Sequence, residues 1–219
     1  MCGISGFISE RNLIHDKSIN NTLKLMSRRG PDSKDFFEKK YGTKNVALLH
    51  TRLNIIDLNE RSNQPFINND VILIFNGEIY NYIELKKDLK KKNYNFKTNS
   101  DTEVLLKCYQ EYGVSCVDYF VGMWSFAIWD LKKKKLFLSR DPFGEKPLYY
   151  FINKKGFFFG SEIKFIRSLC KLSFSKNKEL LHKNLFYLGN NHLITQTLEH
   201  LKPYLLCPNM PSQLHLPHK

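Results

Sequence analysis

Paired cysteines, arginine-rich clusters and long apolar runs are all missing from this 219-residue chain, and each absence removes a class of protein. Cys2, Cys108, Cys116, Cys170 and Cys207 are odd in number and contain no CxxC pair. That excludes a disulfide framework and a zinc ribbon, and the expectation is reduced thiols in the cytoplasm with no metal site. No stretch of about 18 apolar residues is present, so no membrane partner is expected. The start, MCGISGFI, lacks the basic opening of a signal peptide. Arginine is scarce: only 7 of the 34 basic residues are Arg, and the lysines gather in runs such as Lys86 to Lys92 and Lys132 to Lys135. Readers of phosphates and base edges favour Arg interleaved with aromatics, so the net charge of +13 reads as a solvated, solubilising surface and not as a nucleic-acid interface.

What is present suffices for one core. Hydrophobic residues make up 42% and aromatics 14% of the chain, the composition of a single globular domain. Ile4, Phe7 and Ile8 predict a strand starting at the N-terminus, which leaves residue 2 at the end of a sheet. Ile19, Leu23 and Met26 recur at helical spacing and predict a helix from about Asp16 to Arg28, ended by RRGPD. Val46 to Leu49 and Val71 to Phe75 read as buried strands. Asn81 with Glu84, and Ser100 with Glu103, carry helix-start signals, the second in capping-box spacing, for helices reaching Lys92 and Tyr112. Strands are then predicted over Met123 to Trp129, Lys135 to Ser139, Leu148 to Ile152 and Phe157 to Gly160. Helices mixed with runs of neighbouring strands argue for an α+β fold with layered sheets. Past Ser168 the acids dwindle to Glu179 and Glu199, and four of the eight prolines fall between Glu199 and Lys219. A flexible tail is expected over 169–219, with the domain proper at 2–168.

The chemistry starts at Cys2. A small residue after Met1 favours removal of the methionine, and the cysteine then carries its own free α-amine. One residue thus supplies a nucleophile and a base, with reference pKa values of about 8.5 and 7.7–8.0. Alone, such a cysteine is more often a small core residue. Likewise Asn76-Gly77 alone reads as a hairpin turn, Arg52 as a surface residue and Asp101 as an acid favoured by a helix N-terminus. His50, ending a strand, reads as structural although a Cys–His dyad is conceivable.

The segments taken together change that weighting. MCGISGFI, RRGPDS (28–33), HTRLNIID (50–57), FNGEIYN (75–81), NSDTE (99–103), SRDPFGEKPLYY (139–150) and GSEIK (160–164) occur in one order across residues 2–168. The chain resembles the class II, N-terminal nucleophile glutamine amidotransferases, and specifically the glutaminase domain of glutamine-hydrolysing asparagine synthetases. The resemblance implies a four-layer αββα sandwich with two antiparallel sheets. It implies L-glutamine as substrate, Cys2 as nucleophile, and Asn76 with the Gly77 N–H as oxyanion donors. It places Arg52 on the α-carboxylate, Asp101 with Glu78 on the α-ammonium, and Leu53, Asn54, Ile55 and Ile56 along the same pocket. SRDPFGEKPLYY and GSEIK read as architectural, Gly144 and Pro147 shaping a turn. Phe75, where sugar-aminating and purine-pathway relatives typically have His, favours the asparagine synthetase branch. The alternatives are another class II branch and a binding module that keeps the fold without turnover. The family's synthetase domain, which uses ATP and Mg, has no counterpart here: Gly189 stands alone in 169–219 and no phosphate-gripping glycine loop is present. The expectation is therefore a glutaminase unit without cofactor, truncated or partnered with a synthetase domain in cis or in trans, with a homodimer as one arrangement open to it.

Overall fold

The computed structural model describes residues 1–10, 16–171 and 213–216. Two five-stranded antiparallel sheets carry the chain. The first has the order β2(Ser33–Tyr41), β3(Lys44–Arg52), β1(Gly3–Glu10), β9(Gly156–Gly160), β8(Tyr149–Asn153). The second runs β10(Gln213–Leu216), β7(Lys135–Arg140), β6(Gly122–Asp130), β5(Val71–Ile79), β4(Phe66–Asn68). Helices α1(Asp16–Met26) and α4(Ile163–Cys170) cover the first sheet, and α2(Tyr82–Lys91) and α3(Asp101–Tyr112) the second.

Side-chain alternation explains the layering. Along β3, Val46 and Leu48 enter the core between the sheets, while Ala47 and Leu49 join the core under α1 and α4. Both faces of β3 are therefore covered, and it reads as a continuous apolar run. Along β5, Ile72 and Ile74 face the first sheet, and Leu73, Phe75 and Ile79 pack against α3. Each such buried side chain contributes about 1.5–3 kcal/mol, so all three interior layers stabilise the fold. The predicted four layers and antiparallel sheets are those observed.

Several local features differ from expectation. Strand β2 was not anticipated, because SKDFFEKKY is an edge strand with both faces partly in water and shows no alternation. Helix α4 buries Phe165, Ile166, Leu169 and Cys170 and extends the ordered unit past Ser168. Within the stretch expected as a tail, the backbone of Gln213–Leu216 pairs with Leu136–Ser139; residues 172–212 and 217–219 lie outside the described residues. Asn81 precedes α2 without capping it, since its amide donates to Tyr119 O at 2.9 Å and accepts from Val121 N at 3.0 Å. Ser100 does cap α3, by accepting from Thr102 N. The reciprocal half of the capping box is absent: the Glu103 carboxylate turns to the Lys97 and Thr98 N–H groups and the Thr98 hydroxyl.

Candidate active site

The polar end of the molecule is dictated by register. Across the second sheet Asn76 pairs with Ser125, and Ser125 with Arg140. This row continues the inward-facing rows of Ile74, Ala127 and Leu138, so the layer between the sheets turns polar where Cys2, His50 and Arg52 end the first sheet. His50 is fully buried and spans the two sheets, its Nε2 3.1 Å from Phe75 O. A carbonyl only accepts, so Nε2 carries the hydrogen. Burial drives its pKa down to about 3, and the ring is a neutral structural bridge, as expected.

Cys2 is fixed from three sides. Its carbonyl accepts from Arg29 Nε at 2.9 Å, and Arg29 is held in turn by Glu162 at 3.1 Å. Ser161 locks Ile4, accepting its N–H and donating its own N–H to Ile4 O. The Sγ lies against the Leu53 peptide, 3.4 Å from N and 3.7 Å from O. Burial pushes the thiol pKa up, while the Leu53 N–H, the chain's terminal charge and Arg52 pull it down. At neutral pH the group is a thiol and needs a base to become a nucleophile.

RRGPD supplies part of this frame. A Cβ on Gly30 would lie 2.4 Å from the Thr51 backbone, so the turn packs directly on β3. Asp32 then accepts the Asn54 N–H at 2.7 Å and shapes the loop after Arg52.

Arg52, only 4% exposed, is oriented otherwise than expected. Its Nη1 donates to Asn59 O and Asn63 Oδ1, and its Nη2 to Ile56 O and Asp57 O. The fork predicted for a carboxylate is engaged by the loop 56–59, and Nε is the guanidinium nitrogen without a hydrogen bond among the described residues. Asp57, in the left-handed region at φ 50°, ties the same loop to Asn99 N at 2.8 Å.

The second sheet supplies a free edge. β4 pairs only as far as Leu73, so the N–H and C=O groups of Phe75, Gly77 and Ile79 that point away from β6 have no neighbouring strand. Gln64 Oε1 accepts from Phe75 N at 2.6 Å, His50 takes Phe75 O, and Asp101 Oδ2 accepts from Ile79 N at 3.1 Å. Between them, by the alternation of the ladder, the Gly77 N–H points off the edge into the cavity. A Cβ there would lie 2.2 Å from Met123 O, so only glycine lets β6 approach this closely. Next to it Asn76, 1% exposed, keeps its Nδ2 buried without any acceptor.

Cys2, Arg52, Leu53, Ile55, Ile56, Gly77, Glu78 and Asp101 line one cavity, together with Gln64, Phe75, Ser100 and Thr102. The structure thus assembles eight of the ten residues expected at the site. Asn76 stands behind Gly77, and Asn54 is held by Asp32; neither is in the lining. Burial raises the Asp101 carboxyl to about 6, opposed by hydrogen bonds from Ile79 and Thr102 and reinforced by Glu78. Arg29, Asp32 and Gln64 were missed as site-forming residues. Arg29 and Asp32 fall inside the RRGPDS segment, which was the available signal; Gln64 acts through one amide and leaves none. Among the described residues no cluster of three or more His, Cys, Asp or Glu is placed to hold a metal ion, and no helix is long and apolar enough to cross a membrane.

Comparison with known proteins agrees with this geometry. The glutamine amidotransferase domain family matches residues 1–208. Asparagine synthetase [glutamine-hydrolyzing] 2 of Bacillus subtilis is 43% identical over 173 residues, covering 75% of this chain and 22% of the relative. Asparagine synthetase [glutamine-hydrolyzing] 3 of the same organism is 38% identical over 172 residues, covering 76% and 27%. The chain thus spans about a quarter of the length of these relatives. Among solved structures, the glutamine phosphoribosylpyrophosphate amidotransferase of B. subtilis superposes with a TM-score of 0.64 at 20% identity, over 80% of this chain and 45% of that one. The fold is therefore shared with that amidotransferase. With a cysteine at position 2, a free sheet edge beside it and matches of this extent, the chain belongs to the glutamine amidotransferase domain family and is homologous to the glutaminase domains of asparagine synthetases.

Proposed function

We propose that this chain hydrolyses L-glutamine to glutamate and ammonia through a Cys2 thioester, with the ammonia passed to a synthetase domain that uses ATP and Mg to activate aspartate. The observation that carries the reading is the pairing of two unspent donors, the buried Asn76 Nδ2 and the edge-facing Gly77 N–H. A buried donor without a partner costs about 1–3 kcal/mol, a cost offset when a ligand oxygen arrives.

Once Met1 is removed, the neutral α-amine takes the thiol proton and Sγ attacks the side-chain amide carbon of glutamine. The C–S bond forms as the carbonyl π pair moves to oxygen, where Asn76 and Gly77 receive it. The amide nitrogen accepts the proton from the amine, the C–N bond breaks and ammonia leaves. Water attacks the thioester, the C–S pair returns to sulfur, and glutamate departs with the thiol reprotonated. Asp101 and Glu78 supply negative charge for the substrate ammonium. Arg52 supplies positive charge and one N–H for its carboxylate, and it shapes the loop that forms the wall.

Intact mass and glutamate release test this for wild type and Cys2→Ala. A chain beginning at Cys2 that turns over glutamine, with Cys2→Ala inactive, is the expected result; turnover by Cys2→Ala would sink it. A glutamine-like diazo-ketone should label Cys2 and spare the buried Cys108, Cys116 and Cys170.

A further inference from the structure

The space around the N-terminus holds a cation that the reaction described above does not use. Met1 places its Sδ 3.8 Å from Arg29 Nη2 and 3.8 Å from Lys146 Nζ. The two cations differ in how their charge is met. Arg29 is ion-paired with Glu162. Lys146 is only 8% exposed, and among the described residues its ammonium has no acid partner; its contact is the methionine sulfur. The backbone of its loop is fixed. Buried Asp141 accepts the Glu145 and Lys146 N–H groups, and Gly144, at φ 69°, seats the loop on the Arg140 guanidinium. A buried ammonium without a counter-ion is costly, which is weak support for a purely structural role.

Resting on the glutaminase reading, we propose that Lys146 is a positioning residue whose charge keeps the α-amine of Cys2 unprotonated at neutral pH in the chain that has lost Met1. Met1 alone bridges the Cys2 nitrogen and Nζ, its Sδ touching Nζ at 3.8 Å, and a like charge so placed disfavours the ammonium form of the freed amine where the surroundings are of low dielectric. Of the other charged groups facing this end, buried Asp141 is a carboxylate of the Lys146 loop itself, engaged by the Glu145 and Lys146 N–H groups, and the remaining groups leave cations in excess. Arg52 on β3 is a second cation, and Arg140 at the end of β7 a third. Glu162, before α4, is taken up by Arg29 and Lys164. Asp101 on α3 and Glu78 on β5 stand on the glutamine side of the thiol, where the substrate ammonium engages them. The amine therefore sits in a cationic setting and remains a competent base for the thiol proton.

The test uses Met1-free protein carrying a ¹⁵N-labelled Cys2 amine, titrated by NMR alongside the pH profile of glutamate release. In wild type the amine midpoint should fall below the reference range of about 7.7–8.0. Lys146→Met should raise it by roughly half to one unit, and the acid limb of kcat/KM should move up with it. Lys146→Arg should restore both. A wild-type midpoint at or above the reference range overturns the proposal, whether or not the variants fold. So does a midpoint unmoved by Lys146→Met, or a Lys146→Arg variant that behaves like it. If wild type releases no glutamate, the glutaminase reading falls, while the amine titration still decides the role of Lys146.

Discussion

Asp101→Asn separates what the site costs the fold from what it gives the reaction. Asp101 is 4% exposed and its carboxyl is raised from 3.8 to about 6, chiefly by burial. A folded pKa above the unfolded one means that the stability contribution is fully present below about pH 3.8 and lost as pH rises through about 6. The shift of about 2 units corresponds to a penalty on the order of 3 kcal/mol at high pH, roughly half of it accumulating between pH 5 and 8. The amide that replaces the carboxyl does not titrate. The stability difference between variant and wild type, from urea denaturation at several pH values, should therefore move in the variant's favour as pH rises. The same substitution removes a charged partner for the substrate ammonium, worth about 1.5–3 kcal/mol, so KM for glutamine should rise roughly ten- to hundredfold. A stability difference that is flat with pH, or that moves the other way, would refute the burial argument. An unchanged KM would refute the ammonium assignment.

Two further substitutions probe the remaining walls. Asn76→Ala should lower kcat by roughly 10²–10³-fold with KM little changed, and should not lower the urea midpoint, because the buried Nδ2 has no partner to lose and its removal relieves an unpaired donor; a large KM effect at constant kcat would contradict the oxyanion role. Arg52→Lys should speed amide exchange across residues 53–59 while β3 stays protected, and raise KM, because an ammonium cannot hold four acceptors in the plane of a guanidinium.

The parts legible in the sequence were those whose cause is local. Alternation and apolar density marked β1, β3, β5 and β6, because these strands are buried on at least one face. The ordered motifs marked Cys2, Gly77, Glu78 and Asp101, which do line one cavity. β2 escaped because its side chains are half in water on both faces. The use of Arg52 escaped for a different reason: three of its four acceptors are main-chain carbonyls of residues 56, 57 and 59, which leave no trace in side-chain identity. Glu103 has the spacing of a capping box but is drawn off by Thr98, whose N–H and hydroxyl it accepts at 2.7 Å each. Spacing predicts which groups are near one another, and competing donors decide which bond forms.

The three-residue β4 carries a consequence for how such a site is lost or gained. Unpaired strand edges are a hazard for aggregation, and proteins commonly blunt or cover them. Here the hazard is confined to about one peptide, because Gln64, His50 and Asp101 occupy the positions on either side of Gly77. Extending β4 toward Gly77 would pair that N–H with another backbone and remove a donor from the cavity, with Cys2, Asn76 and every other side chain unchanged. In this fold, activity would then be switched by the length of an edge strand, a change that no inspection of catalytic residue identities would register.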